Sequence, residues 1–108
     1  MKRYEGRRIG YAVEVKVDGR PLNPRLDLWN HSPTGFEWGY GGSGPAQLAL
    51  GILAEHFGND DHALVFYQRF KWQVVAELPK RRWTLTEQEI GQVIKELREQ
   101  ETADGGSS

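Results

Sequence analysis

The sequence predicts an α+β fold, a small N-terminal antiparallel β-sheet of about three strands packed against three C-terminal helices. Three observations carry this expectation. Tyr11, Val13, Val15 and Val17 alternate with Ala12, Glu14 and Lys16, the period of a half-buried strand. From Pro45 onward the apolar residues recur at helical spacing instead. Between these regimes lies Gly35–Gly44, which holds five of the 13 glycines. At 108 residues the chain is read as one domain over residues 1–100, with a polar tail at 101–108 expected to be disordered.

The elements follow in order. The first strand covers Tyr4 to Gly10 and is interrupted by Gly6. The second is Tyr11 to Val17, closed by the turn pair Asp18-Gly19. A short returning segment is expected over Leu22 to Leu28, where Pro21 and Pro24 confine it to an edge or irregular strand. Leu26 to Thr34 is a loop carrying Trp29, His31 and Pro33. Helix one runs from Pro45, suited to a first helical position, to Phe57, with Ser43 or Gly44 as its cap and Gly58 as its stop. Helix two starts at Asn59 or Asp60 and ends at Leu78, before Pro79. Ala63, Phe66, Tyr67, Phe70, Val74 and Leu78 form its stripe, and Val65, Trp72, Val75 and Ala76 widen it, so this helix is expected to be the central one. Lys80 to Trp83 reads as a basic connector. Thr86-Glu87-Gln88-Glu89 is a capping box, and Leu85 with Ile90 is its hydrophobic staple. Ile90, Val93, Ile94 and Leu97 then give helix three a single apolar stripe, and Lys95 is spaced to pair with Glu99.

The glycine-rich segment is the candidate site. Phe36, Trp38 and Tyr40 alternate with Glu37 and Gly39, so three rings can line one face of an extended stretch. Gly41, Gly42, Ser43 and Gly44 strip side chains from the backbone ahead of a helix start, whose amides lack internal partners and sit at the positive end of the helix dipole. Such a start can hold a phosphate or carboxylate. The expected wall is Trp38, Tyr40, Gly41, Gly42, Ser43, Gly44 and Gln47, with His31, Arg81 and Arg82 at the rim. The alternative role for these glycines is a tight turn packed beneath the aromatics. Gly39–Gly44 matches the letters of a dinucleotide fingerprint but lacks the alternating strands and helices around it. Pro45-Ala46 stand where a phosphate loop needs Lys and Ser or Thr, and Pro45 also breaks the nucleophile-elbow pattern.

The run GFEWGYGGSGPAQLALGIL, with Tyr67 to Lys71 and Trp83 to Thr86 after it, resembles a family of short uncharacterised proteins known as a domain of unknown function and met in bacteria and in phage or other mobile-element genomes. The resemblance spans roughly Tyr4 to Leu97. It implies a small intracellular, phage-related protein and carries over no catalytic residue.

Composition narrows the chemistry. With 38% apolar and 27% charged residues the chain has the make-up of a soluble globular protein. The absence of cysteine excludes a disulfide framework, a thiolate nucleophile and Cys-ligated zinc. No apolar run approaches the length of a membrane span and the N-terminus has no apolar signal region, so a cytoplasmic location is expected. Residues 1–25 carry a net +4 and residues 86–108 a net −4, which reads as two faces that attract each other or as a basic face for an anionic partner. Lys80-Arg81-Arg82-Trp83 could meet phosphates and stack a base, but the net charge of −1 argues against nucleic acid. His56 and His62 flank Asp60 and Asp61 at no established ligand spacing, so neither metal nor cofactor is expected. Acid–base work would need His31 beside Asp27 or Glu37, and Ser43 is a nucleophile only if a histidine reaches it. The reading that results is a non-catalytic binder of a small anionic molecule, such as a nucleotide. Its alternatives are an interaction module docking on a host protein or on a second copy of the chain, and an uncharacterised enzyme.

Overall fold

The computed structural model describes residues 1–33 and 35–106, with side chains through residue 100. It is an α+β arrangement in which an antiparallel sheet is covered on one face by three helices. Strands β1 (Arg3–Ile9) and β2 (Ala12–Val17) form a hairpin whose turn is allowed by Gly10 at φ 61°. Asp18 (φ 50°) and Gly19 (φ 80°) make the next turn, two successive left-handed residues of the kind hairpins favour. The β1–β2 register pairs Tyr4 with Val17, Gly6 with Val15 and Arg8 with Val13, so these six share the inner face.

Two expectations about strands are corrected. The returning strand over Leu22 to Leu28 shrinks to β3 (Arg20–Pro21), which pairs with Lys16 and Val17. Pro24 has no N–H to donate, and Arg25 takes φ 56° with its N–H bound to the Asn23 side chain, so the chain leaves the ladder there. The basic connector, by contrast, becomes a strand. Residues Arg82–Thr86 form β4 and pair antiparallel with β1, giving the order β3-β2-β1-β4. Trp83 and Leu85 point into the core while Arg82 and Thr84 face out, the alternation of a half-wet strand.

The central helix is α1 (Ser43–Phe57), not the second helix as its apolar width suggested. Every residue of α1 from Gly44 to Ala54 is buried. Its neighbour α2 (Asp60–Gln73) leaves Leu64, Val65 and Trp72 in water. α2 also ends five residues before Leu78. Val74 departs from helical geometry at φ −121°, a 3₁₀ turn follows at Val75–Glu77, and the Val75 carbonyl accepts both the Leu78 N–H at 3.3 Å and the Gly39 N–H at 3.0 Å. The aromatic segment therefore crosses the chain where the helix stops. α3 (Glu87–Gly106) starts from the expected capping box: Thr86 Oγ1 accepts from Glu89 N–H at 3.2 Å, and Glu89 Oε1 accepts from Thr86 N–H at 3.0 Å. The side chains of the tail from residue 101, and residues 107 and 108 altogether, lie outside the described residues.

Tyr4, Val17, Trp38, Phe70, Val75 and the α1 residues Leu48, Leu50, Ile52 and Leu53 form a fully buried centre between sheet and helices. Each large apolar side chain so buried contributes roughly 1.5–3 kcal/mol relative to exposure. Among the described residues no helix is long and apolar enough to cross a membrane.

Candidate functional site

The start of α1 is built by local sequence. Gly42 is its N-cap in extended geometry, no side chain caps it, and no acid stands in its first turn. The first intrahelical bond runs from Ala46 N–H to Gly42 C=O at 2.9 Å. Helix one thus begins two residues before Pro45, which occupies the third helical position. Its missing N–H removes one of the donors that a first turn leaves unpaired. Ser43 and Gly44 supply the remaining backbone donors, at the positive end of the dipole.

These two residues open into a hollow of about 540 Å³. Tyr11, Ala12 and Val13 at the tip of the β1–β2 hairpin form one side, and Phe36, Glu37 and Tyr40 the other. Glu37 brings a carboxylate into this wall, but its charge is matched. Arg8 grips it through two parallel bonds of 2.9 and 2.8 Å, and the Trp38 N–H donates to it at 3.2 Å. The Arg8 bonds hold Glu37 below the usual carboxylate range. Lys80 Nζ lies 4.9 Å from the centre of the Tyr40 ring, and among the described residues it makes no ion pair, although its charge also acts on Glu37. The local balance is therefore one neutralised pair, one lysine and a helix N-terminus.

The remaining predicted wall residues divide. Gly41 lies beneath the Trp72 ring, so closely that a Cβ would overlap it. A Cβ on Gly42 would stand 2.6 Å from the Tyr40 ring, and one on Gly44 2.6 Å from Glu37 Cβ. The glycines thus permit close packing as well as an open helix start. Trp38 is completely buried, with its Nε1 donating to the Pro79 and Lys80 carbonyls at 3.0 Å each and its ring edge-on to Trp83. Gln47 is equally buried and acts as a clamp on the preceding loop. Its Oε1 accepts from His31 and Ser32 N–H at 2.8 and 3.1 Å, and its Nε2 donates to the Pro24 and Trp29 carbonyls at 2.6 and 3.0 Å. Neither lines the hollow.

The rim residues are also dispersed. His31 Nε2 meets the Tyr67 hydroxyl at 2.7 Å, with Trp29 stacked on its ring. Burial holds its pKa below the ordinary value, with help from Lys71. It pairs with neither Asp27, whose carboxylate binds Arg25, nor Glu37. Arg82 projects from the outer sheet face beside Arg3, Arg7 and Thr84, and Arg81 contributes its carbonyl to the Arg8 N–H. The edge of the Phe57 ring packs between His56 and His62, and among the described residues no three potential metal ligands converge. Sequence reasoning missed Arg8, Tyr11 and Lys80. The available signals were a glutamate lodged between aromatics, which calls for a cation, and the exposed hairpin tip that Gly10 marks.

Comparison with known proteins gives one finding. Residues 4–96 match a family of unknown function, DUF6166, and the chain belongs to that family. No curated protein and no solved structure matches it.

Proposed function

We propose that this is a small non-catalytic binding protein that takes an anionic group of a small molecule, such as a nucleotide, at the start of α1. The observation that supports it is the hollow into which Ser43 and Gly44 open, with Tyr11, Phe36 and Tyr40 around it. Backbone donors and the dipole suit the anion, and the aromatic residues suit a flat ring. In a phage-related, cytoplasmic setting the ligand is a host signalling nucleotide held away from its receptor. The test is a thermal-shift screen of millimolar nucleotides and inorganic phosphate against the native chain and Ser43→Asp. Asp at the first turn stabilises the free protein by about 0.3–1 kcal/mol through the dipole, while it repels the ligand and erases the ligand-induced shift. No shift for the native chain with any member of the panel sinks the reading.

A second reading is favoured by one feature. Leu64, Val65 and Trp72 on the solvent side of α2, with Trp29 beyond its edge, leave large apolar side chains in water, and Trp72 is 60% exposed. Such a face docks on a host protein or on a second copy of the chain. Sizing by light scattering, with Trp72→Ala as the control, detects self-association.

A further inference from the structure

At the far end of α1 lies a separate hollow of about 630 Å³, between the last turn of that helix and the exposed side of α3. We propose that it is a second binding site, for a small molecule with an apolar body and a single anionic head, such as a medium-chain or aromatic carboxylate. It shares no residue with the α1 start and does not rest on that reading. Its volume falls in the range of ligand sites, about 300–1,000 Å³.

Phe57 and the buried Ile94 supply its apolar surface. The decisive residue is Gly91, in the same wall and in the interior of α3. An interior helical glycine costs about 1 kcal/mol relative to alanine. Elsewhere the chain gets close packing from its glycines: a Cβ at Gly6, Gly41, Gly44 or Gly51 would run into neighbouring atoms. A Cβ at Gly91 would meet nothing within 4 Å, and Gly91 is not among the positive-φ glycines. Neither packing nor backbone geometry asks for glycine there. What the missing side chain does is keep the wall of the hollow open, a local conflict of the sort that marks functional sites.

The charges around the hollow select the head group. Lys95 and Arg98 line it, and among the described residues neither makes an ion pair, so the expected Lys95–Glu99 pair does not form. Among the described lining residues two cations stand against Glu99, Arg98 with its guanidinium over the Phe66 ring at 5.4 Å, while the Glu87 charge acts on His56 from one turn before Gly91. At the adjoining end of α1 the Ala54 carbonyl accepts from Gly58 N–H and the Glu55 carbonyl from Lys2 Nζ, which satisfies two of the carbonyls that a helix end leaves unpaired. His56 adds a buried Nδ1 with no hydrogen-bond partner among the described residues.

The probes are the anionic dye 8-anilinonaphthalene-1-sulfonate, followed by its fluorescence, with decanoate and decanol as competitors on the folded native chain. One saturable dye site is expected, emptied by decanoate at a concentration about tenfold below that of decanol. Gly91→Ala should raise Tm yet weaken dye binding about fivefold, and Gly91→Leu should abolish binding with the fold intact by circular dichroism. The double change Lys95→Gln, Arg98→Gln should weaken the anionic dye itself and remove the preference for decanoate, while the inhibition constant of decanol stays unchanged. The proposal is overturned by the lack of saturable dye or decanoate binding at millimolar ligand, by Gly91→Ala binding as the native chain does, or by equal competition from decanol and decanoate.

Discussion

Gly6 and Trp83 face each other across β1 and β4, and the indole lies over the glycine so closely that a Cβ would overlap its Cε2, Nε1 and Cζ2 atoms. This is an aromatic covering a bare strand position, and it fixes where Trp83 meets the edge of Trp38 at 5.7 Å. Gly6→Ala forces the indole out of place and should cost about 1–3 kcal/mol, read from the urea midpoint; an unchanged midpoint shows that the ring has room to yield. Gln47 is the second residue on which much depends. Gln47→Leu keeps the bulk but leaves two amides and two carbonyls of the 24–32 loop without their partners. We expect a loss of about 3 kcal/mol and faster hydrogen exchange at His31 and Ser32. Slow exchange retained at both amides would mean that the loop holds its shape without the clamp. With the helix start read at Pro45, Gln47 falls in its first turn, a place that from sequence alone suits ligand contact; in the structure it is the fifth helical residue. Its actual role depends on a loop that folds back 15 to 23 residues upstream, and no local pattern encodes that.

At the scale of elements, what was legible is what is local. The α3 start is written in four consecutive residues, and the structure forms both reciprocal bonds there. Thr86→Ala should therefore cost about 1 kcal/mol, measured by thermal unfolding, with Thr86→Asn restoring most of it; a Thr86→Ala chain as stable as the parent would mean that β4 alone holds the helix start. The alternation of β2 and the Asp-Gly turn that follows it were likewise visible. β4 was not, because five residues with two apolar side chains resemble a connector until β1 is there to receive them. The end of α2 was missed for a related reason: its stripe continues to Leu78, but the Val75 carbonyl is taken by Gly39 from the crossing segment. The candidate site shows the same division. A helix start after the glycine run was legible, but with Ser43 or Gly44 as its cap, whereas Gly42 holds that position and the helix begins at Ser43. The burial of Trp38 does not follow, because it is set by the Pro79 and Lys80 carbonyls about forty positions away.

Over the whole molecule, the charge asymmetry resolves into specific pairs. Among the described residues the N-terminal cations make no ion pair with the acidic α3. Lys2 and Arg20 converge on Glu55, Arg8 on Glu37, and Arg25 on Asp60, so the sheet and its following loop are tied to α1, to the aromatic segment and to the start of α2. Hydrogen bonds from Arg8 and from Lys2 hold Glu37 and Glu55 below the ordinary carboxylate value. Burial holds His31 and His56 below the ordinary imidazole value. All four shifts act in the same direction, because in each case the unfolded chain takes up a proton before the folded one does, so stability falls as pH falls. The histidine contribution is complete above about pH 6.5 and declines below it; the carboxylate contribution is complete above about pH 4.5 and declines below that. Tm should therefore be level near pH 7–8, fall gently between about pH 6.5 and 5, and fall more steeply below about pH 4.5. Glu55→Gln should lower the plateau and flatten the steep limb without altering the gentle one, since Lys2 and Arg20 then lose a partner whose charge no longer titrates. A Tm that stays constant from pH 7 down to pH 5 would mean that His31 and His56 are as well hydrated as in the unfolded chain, against the buried contact of His31 with Tyr67 and of His56 with Phe57.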